Sequence, residues 1–176
     1  IRNSNWKQYI DTYPANTSGT WSLYYWLGSG IERLFSDNSI FDRLFFARLL
    51  SVAIGALTVL VAYLLARRLG WSPIIASMFT SLIAFQPMLL ATSSVVNIDI
   101  LLIFAFSLFF YGGVLWISSG LTIQSVCIAL VATLIGVFTK GPGIILAGLL
   151  IVLMLFSGYR RYSASCRDLF PYCLLF

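Results

Sequence analysis

The sequence predicts an all-α protein, a bundle of transmembrane helices preceded by an amphipathic helical segment. Three observations predict it. Hydrophobic residues make up 60% of the chain and charged residues only 10%, with a mean hydropathy of +0.92. A soluble domain is about 45–50% apolar and about 25% charged. Between Arg68 and Lys140 the only ionisable acid or base of the Asp, Glu, Lys, Arg or His type is Asp99. The apolar runs are divided by short turns that carry Gly, Pro, Ser or Arg, the punctuation expected between membrane spans.

The net charge of +5 comes from residues scattered over the turns. Lipid head groups and membrane topology account for such a pattern, so no nucleic-acid partner is expected. There is no histidine, which leaves no His-rich zinc site and no Ser-His-Asp triad in this stretch. Cys127, Cys166 and Cys173 lack metal-ligand spacing, and Cys127 lies in an apolar run and reads as packing. Neither a metal nor a cofactor is expected. The chain does not open on Met and closes on an apolar stretch resembling another helix start, so it reads as a piece of a longer protein.

Two regions follow from the pattern. Residues 1–41 are the more polar region and read as a loop with an interfacial helix. From Leu23 to Phe35 the apolar residues recur at 23, 27, 31, 34 and 35, a helical spacing. With Trp21, Tyr24, Tyr25 and Trp26 beside them, they suit a helix lying at the membrane boundary; packing against the transmembrane bundle is the other reading. Residues 42–176 form the transmembrane region, with spans expected at about 44–66, 74–90, 99–117, 121–138 and 144–156. The second span is interrupted at Gln86-Pro87. The fifth is short for a bilayer, which needs around 20 residues. The run Gly158-Tyr159-Arg160-Arg161-Tyr162 then closes it, and a further span starts near Leu169.

Orientation follows from the basic turns. Arg67-Arg68 and Arg160-Arg161 with Arg167 lie four spans apart, hence on one face, and the positive-inside rule makes that face cytoplasmic. Residues 1–41, the 91–99 turn and the 139–143 turn then share the extracytoplasmic face. Arg33, Arg43 and Arg48 fall on that outer side against the rule, where anionic lipid or phosphate would suit them. Span counting alone therefore places Asp99 and Lys140, distant in sequence, at one membrane face.

A charge within a long apolar run costs about 2.5–3.5 kcal/mol on insertion scales, which makes Asp99 a functional candidate. Three readings remain open for it. It caps the third span, it pairs with Lys140, Arg43 or Arg48, or it contacts substrate. Asn97 is likewise a cap or a ligand. Lys140 either snorkels to the head groups or, beside Gly141-Pro142-Gly143, binds phosphate with help from nearby backbone N–H groups.

An ordered series of short stretches resembles the polytopic GT-C glycosyltransferases: Leu23-Tyr24-Tyr25-Trp26-Leu27, then Arg48-Leu49-Leu50-Ser51-Val52-Ala53-Ile54-Gly55, Ala62-Tyr63-Leu64-Leu65-Ala66-Arg67-Arg68, Gln86-Pro87-Met88, Asn97-Ile98-Asp99 and Thr139-Lys140-Gly141-Pro142. The nearest groups are the bacterial relatives of protein O-mannosyltransferases and of aminoarabinose transferase. The resemblance runs from about residue 20 onward. It implies an integral membrane enzyme, in a bacterial plasma membrane. That enzyme moves a sugar, with inversion, from a polyprenyl-phosphate donor to a lipid, protein or glycan acceptor on the extracytoplasmic face.

The family's catalytic carboxylate lies early in the first external loop, which by spacing falls upstream of Ile1. Asp11 reads first as a solvated loop acid, and as a candidate for that carboxylate within this chain it sits too close to the Tyr24-Tyr25-Trp26 run. Where relatives carry Pro-Pro or Lys-Pro ahead of that run, this chain has Trp21 and Ser22. With that chemistry in view, Lys140 is the candidate for the phosphate, Asp99 and Asn97 for sugar or acceptor hydroxyls or for holding the external loop, and Tyr24 and Tyr25 for further substrate contacts. The alternative functions are a secondary transporter or flippase component, or a non-catalytic lipid-binding membrane protein. Transporters, however, place ionisable residues near the midplane on broken helices, whereas Asp99 and Lys140 fall at span ends.

Overall fold

The computed structural model describes residues 22–35 and 39–173, and among them the regular structure is entirely helical. The elements are α1 (Leu23–Leu34), α2 (Ile40–Arg68), α3 (Pro73–Ala84), α4 (Pro87–Ser94), α5 (Asp99–Ser119), α6 (Ile123–Thr139), a 3-10 turn (Gly141–Gly143) and α7 (Ile144–Cys173).

Helix starts sit where local chemistry puts them. Ser39 and Ser72 cap α2 and α3 by accepting from the N–H groups of Asp42 and Ile75. Thr122 and Ser125 form a reciprocal capping box on α6. Pro73 and Pro87 occupy first-turn positions, where proline's missing N–H costs nothing. Gly70 and Gly120 end α2 and α5 at φ 87° and 78°, a left-handed geometry that glycine adopts without a Cβ penalty.

Two helices, α2 and α5, are long and apolar enough to cross a membrane alone. The α3–α4 pair, bent by 59° at the Gln86-Pro87 break, is a third if counted as one broken span. The apolar stretches 123–139 and 141–157 are shorter. With its exposed apolar surface, the bundle is that of an integral membrane protein. α7 runs on as helix through Gly158–Tyr162, where the sequence suggested an end. Charge alone does not stop a helix, and no capping or breaking residue other than Gly158 stands there.

α5 is the central element because it contributes to both cores. One core joins Ala105, Phe109 and Trp116 of α5 to Ala129 and Ala132 of α6 and Leu146 and Leu150 of α7. The other joins Tyr24 of α1, Ile54 of α2, Leu89 of α4 and Ile100 and Leu101 of α5. In lipid no hydrophobic force drives apolar helices together, so association rests on close packing by small residues. Gly112 packs against the Ala129 backbone, and Gly55 faces Ser93 with no room for a Cβ. Two buried threonine hydroxyls are satisfied within their own helices, Thr58 donating to the Ile54 carbonyl and Thr133 to that of Ala129. Cys127 is exposed on α6 rather than packed, because the contact face of that helix is the one bearing Ala129 and Ala132.

Antiparallel packing of α5 and α6 gives the bundle two polar ends. At one, Arg68 of α2 donates to the Ser119 hydroxyl of α5, and Trp116 Nε1 donates to Ser157 of α7 at 3.1 Å. At the other end lie the start of α5 and the end of α6.

Candidate functional site

At that second end the Asn97–Asp99 turn meets the turn after α6. Lys140 Nζ donates to Asp99 Oδ1 at 2.7 Å across 41 residues of sequence. The lysine and aspartate side chains are 46% and 37% exposed, so the pair is open to a ligand on its outer side. Lys140 holds an extended backbone, φ −159° and ψ 152°, which stops α6.

Of the sequence readings for Asp99, the carboxylate does stand in the first turn of α5, where its charge suits the positive helix end, but its side chain is not the cap. Asp99 is the first residue of α5 and makes no capping hydrogen bond from its side chain. Asn97 takes that role, its Oδ1 accepting from the Asp99 N–H at 2.9 Å in an Asx turn. The capping amide leaves the Asp99 carboxylate available to Lys140. Neither Arg43 nor Arg48 pairs with it: Arg43 is bound to Glu32 instead.

The glycines after Lys140 differ in their work. Gly143 is buried against the backbone of Gly136, where a Cβ would overlap the Gly136 carbonyl. Its N–H donates to the Lys140 carbonyl at 2.8 Å, so it holds the turn and is not aimed at a ligand. Around Gly141 there is open space. The Gly141-Pro142-Gly143 sequence thus brings α7 onto α6 and leaves the Lys140 side of the turn accessible.

Tyr24 and Tyr25 are adjacent in sequence and opposite in role. Tyr24 is buried, 1% exposed, and its hydroxyl bonds that of Ser51 on α2 at 2.7 Å. This bond packs α1 onto the bundle, the second of the two readings for that segment. Tyr25 is 55% exposed, its ring edge-on to Tyr24 at 5.8 Å between centroids. Beside them runs a groove of about 680 Å³ between α1 and the first turns of α2, walled by Leu44, Ala47 and Val96, with Glu32 and Arg43 at its polar part. Val96 immediately precedes Asn97, so the groove borders the turn that carries Asp99.

The structure therefore unites Asn97, Asp99 and Lys140 and places Tyr24 and Tyr25 on the neighbouring groove. Asp11 lies outside the described residues. Three carboxylates among the described residues are engaged: Glu32 with Arg43, Asp42 with Ser39, and Asp99 with Lys140. Sequence reasoning missed the Glu32–Arg43 pair and the Tyr24–Ser51 bond. A serine inside an apolar span was the available sign of the latter.

Residues 18–167, well over half the chain, match the family model described as dolichyl-phosphate-mannose-protein mannosyltransferase. No curated protein and no solved structure gives a significant match.

Proposed function

The chain belongs to the dolichyl-phosphate-mannose-protein mannosyltransferase family, membrane glycosyltransferases of the GT-C type, and from that premise we propose that it serves transfer of a sugar from a polyprenyl-phosphate donor to an acceptor hydroxyl at the extracytoplasmic face. The acceptor hydroxyl oxygen bonds to the anomeric carbon as the bond from that carbon to the phosphate oxygen breaks. The polyprenyl phosphate leaves with the electron pair. The acceptor's proton passes to a carboxylate base outside the described residues.

The observation that carries this reading is the 2.7 Å contact between Lys140 and Asp99 at one end of the bundle. The leaving phosphate gains charge as its bond to the sugar breaks, and a fixed cation stabilises that charge. Lys140 supplies it. An ammonium has three donors, and Asp99 uses one of them while holding the flexible stem in place. Asp99 and Asn97 contact hydroxyls of sugar or acceptor, and the exposed ring of Tyr25 flanks them. Tyr24, with its hydroxyl engaged by Ser51, supports Tyr25 from beneath.

The test is transfer from polyprenyl-phosphate mannose by the full-length protein in proteoliposomes. Lys140→Ala and Asp99→Asn are expected to lower the rate by about 100–1,000-fold, on the scale of losing one charge-stabilising group, and Lys140→Arg to recover part of it. Full rates in both variants would remove these assignments.

A further inference from the structure

We propose that the groove between α1 and α2 binds a phospholipid whose headgroup carries both a phosphate and a primary ammonium. The groove presents charges of both signs side by side: Arg43 Nη2 lies 3.1 Å from Glu32 Oε1, with the two side chains 33% and 56% exposed. The Arg43 Nε, meanwhile, is buried with no hydrogen-bond partner. A guanidinium offers five N–H donors in a fixed fork suited to phosphate, and Glu32 takes up a bond from only one of its nitrogens, Nη2.

The balance of charge selects the ligand. A bare anion approaching Arg43 would meet the Glu32 carboxylate at contact distance, and a bare cation approaching Glu32 would meet the guanidinium. A headgroup bearing both signs exchanges one internal pair for two, phosphate on Arg43 and ammonium on Glu32, with no change in net charge.

The walls select an amphiphile over a soluble zwitterion or a sugar. Leu44, Ala47 and Val96 line the groove, and α2, on which the first two stand, is a candidate membrane span. Phe41 and Phe45, 82% and 62% exposed on the same first turns, offer apolar surface to an acyl chain leaving the groove. Ligand chains thus enter from the bilayer and the headgroup ends at the Glu32–Arg43 pair. This site does not depend on the transfer reaction, and a failed transfer assay leaves the lipid measurement intact.

The experiment is native mass spectrometry of the full-length protein with equimolar phosphatidylethanolamine, phosphatidylglycerol and phosphatidylcholine. Phosphatidylethanolamine is expected to be retained at least fivefold over the other two. Arg43→Gln should abolish retention, and Glu32→Gln should erase the preference over phosphatidylglycerol. Ala47→Phe, which fills the apolar part of the groove, should displace the lipid with both charges intact, and thermal melts of each variant report folding. Equal retention of phosphatidylglycerol would make this a plain anion site and overturn the proposal. So would selectivity unchanged in all three variants, or displacement of the phospholipid by equimolar polyprenyl phosphate, which would give the groove to the donor.

Discussion

The hydroxyls of Tyr24 and Ser51, 27 residues apart in sequence, lie 2.7 Å from one another with both residues buried. This contact fastens the amphipathic helix α1 to the spanning helix α2, and through it sets the position of Tyr25 and of the groove beside it.

Tyr24→Phe is expected to destabilise the fold by about 1–3 kcal/mol, because it strands the buried Ser51 hydroxyl. Pairing it with Ser51→Ala removes both partners and should recover much of the loss. A double-mutant cycle on thermal unfolding in detergent measures this. A coupling energy near zero would mean that the two hydroxyls do not depend on one another.

Gly143→Ala and Gly141→Ala form a matched test of the turn after Lys140. A Cβ on Gly143 would overlap the Gly136 backbone, while one on Gly141 meets nothing within 4 Å. The first variant should lose about 1–3 kcal/mol or fail to fold, the range for overpacking a tight contact, and the second should melt like the parent. Equal melting temperatures would contradict the close α6–turn packing.

Asn97 supplies the cap at the start of α5, accepting from the Asp99 N–H. Asn97→Ala is expected to cost about 0.5–2 kcal/mol, and Asn97→Asp to keep most of the stability because its carboxylate accepts the same bond. Hydrogen exchange at the first turn of α5 reads the effect locally; unchanged protection in the alanine variant would count against the cap.

Lys140 and Asp99 should separate stability from activity. Their side chains are about 40% exposed, and pairs of that kind contribute about 0–1 kcal/mol. Single substitutions should therefore barely move the melting temperature while transfer falls. A large stability loss in Lys140→Ala would recast the pair as a structural clamp.

Much of the bundle could be read along the chain. The proline at the start of α3, the break at Gln86-Pro87, the start of α5 at Asp99 and the glycine-rich turn after α6 all coincide with local signals. These are properties of single residues and near neighbours: a missing N–H, a φ restriction, a side chain that caps. Other features carried no such signal. Nothing near Gly158 showed that α7 would continue, and Cys127 looked like core until the packed face of α6 was known. Glu32 and Arg43, 11 residues apart on two different helices, obey no spacing rule.

Composition and hydropathy by themselves determined that this chain is an all-helical membrane protein, because transfer free energies of side chains add along the sequence whatever the final packing. They also singled out Asp99, since an isolated charge in an apolar run is conspicuous wherever it ends up. Which partner Asp99 takes, that α1 packs on the bundle, and which hydroxyl Tyr24 meets were decided only in three dimensions. Those outcomes depend on which helix ends come together, and a hydrogen bond of 2.7 Å between residues 41 positions apart exists only once α5 and α6 have packed antiparallel.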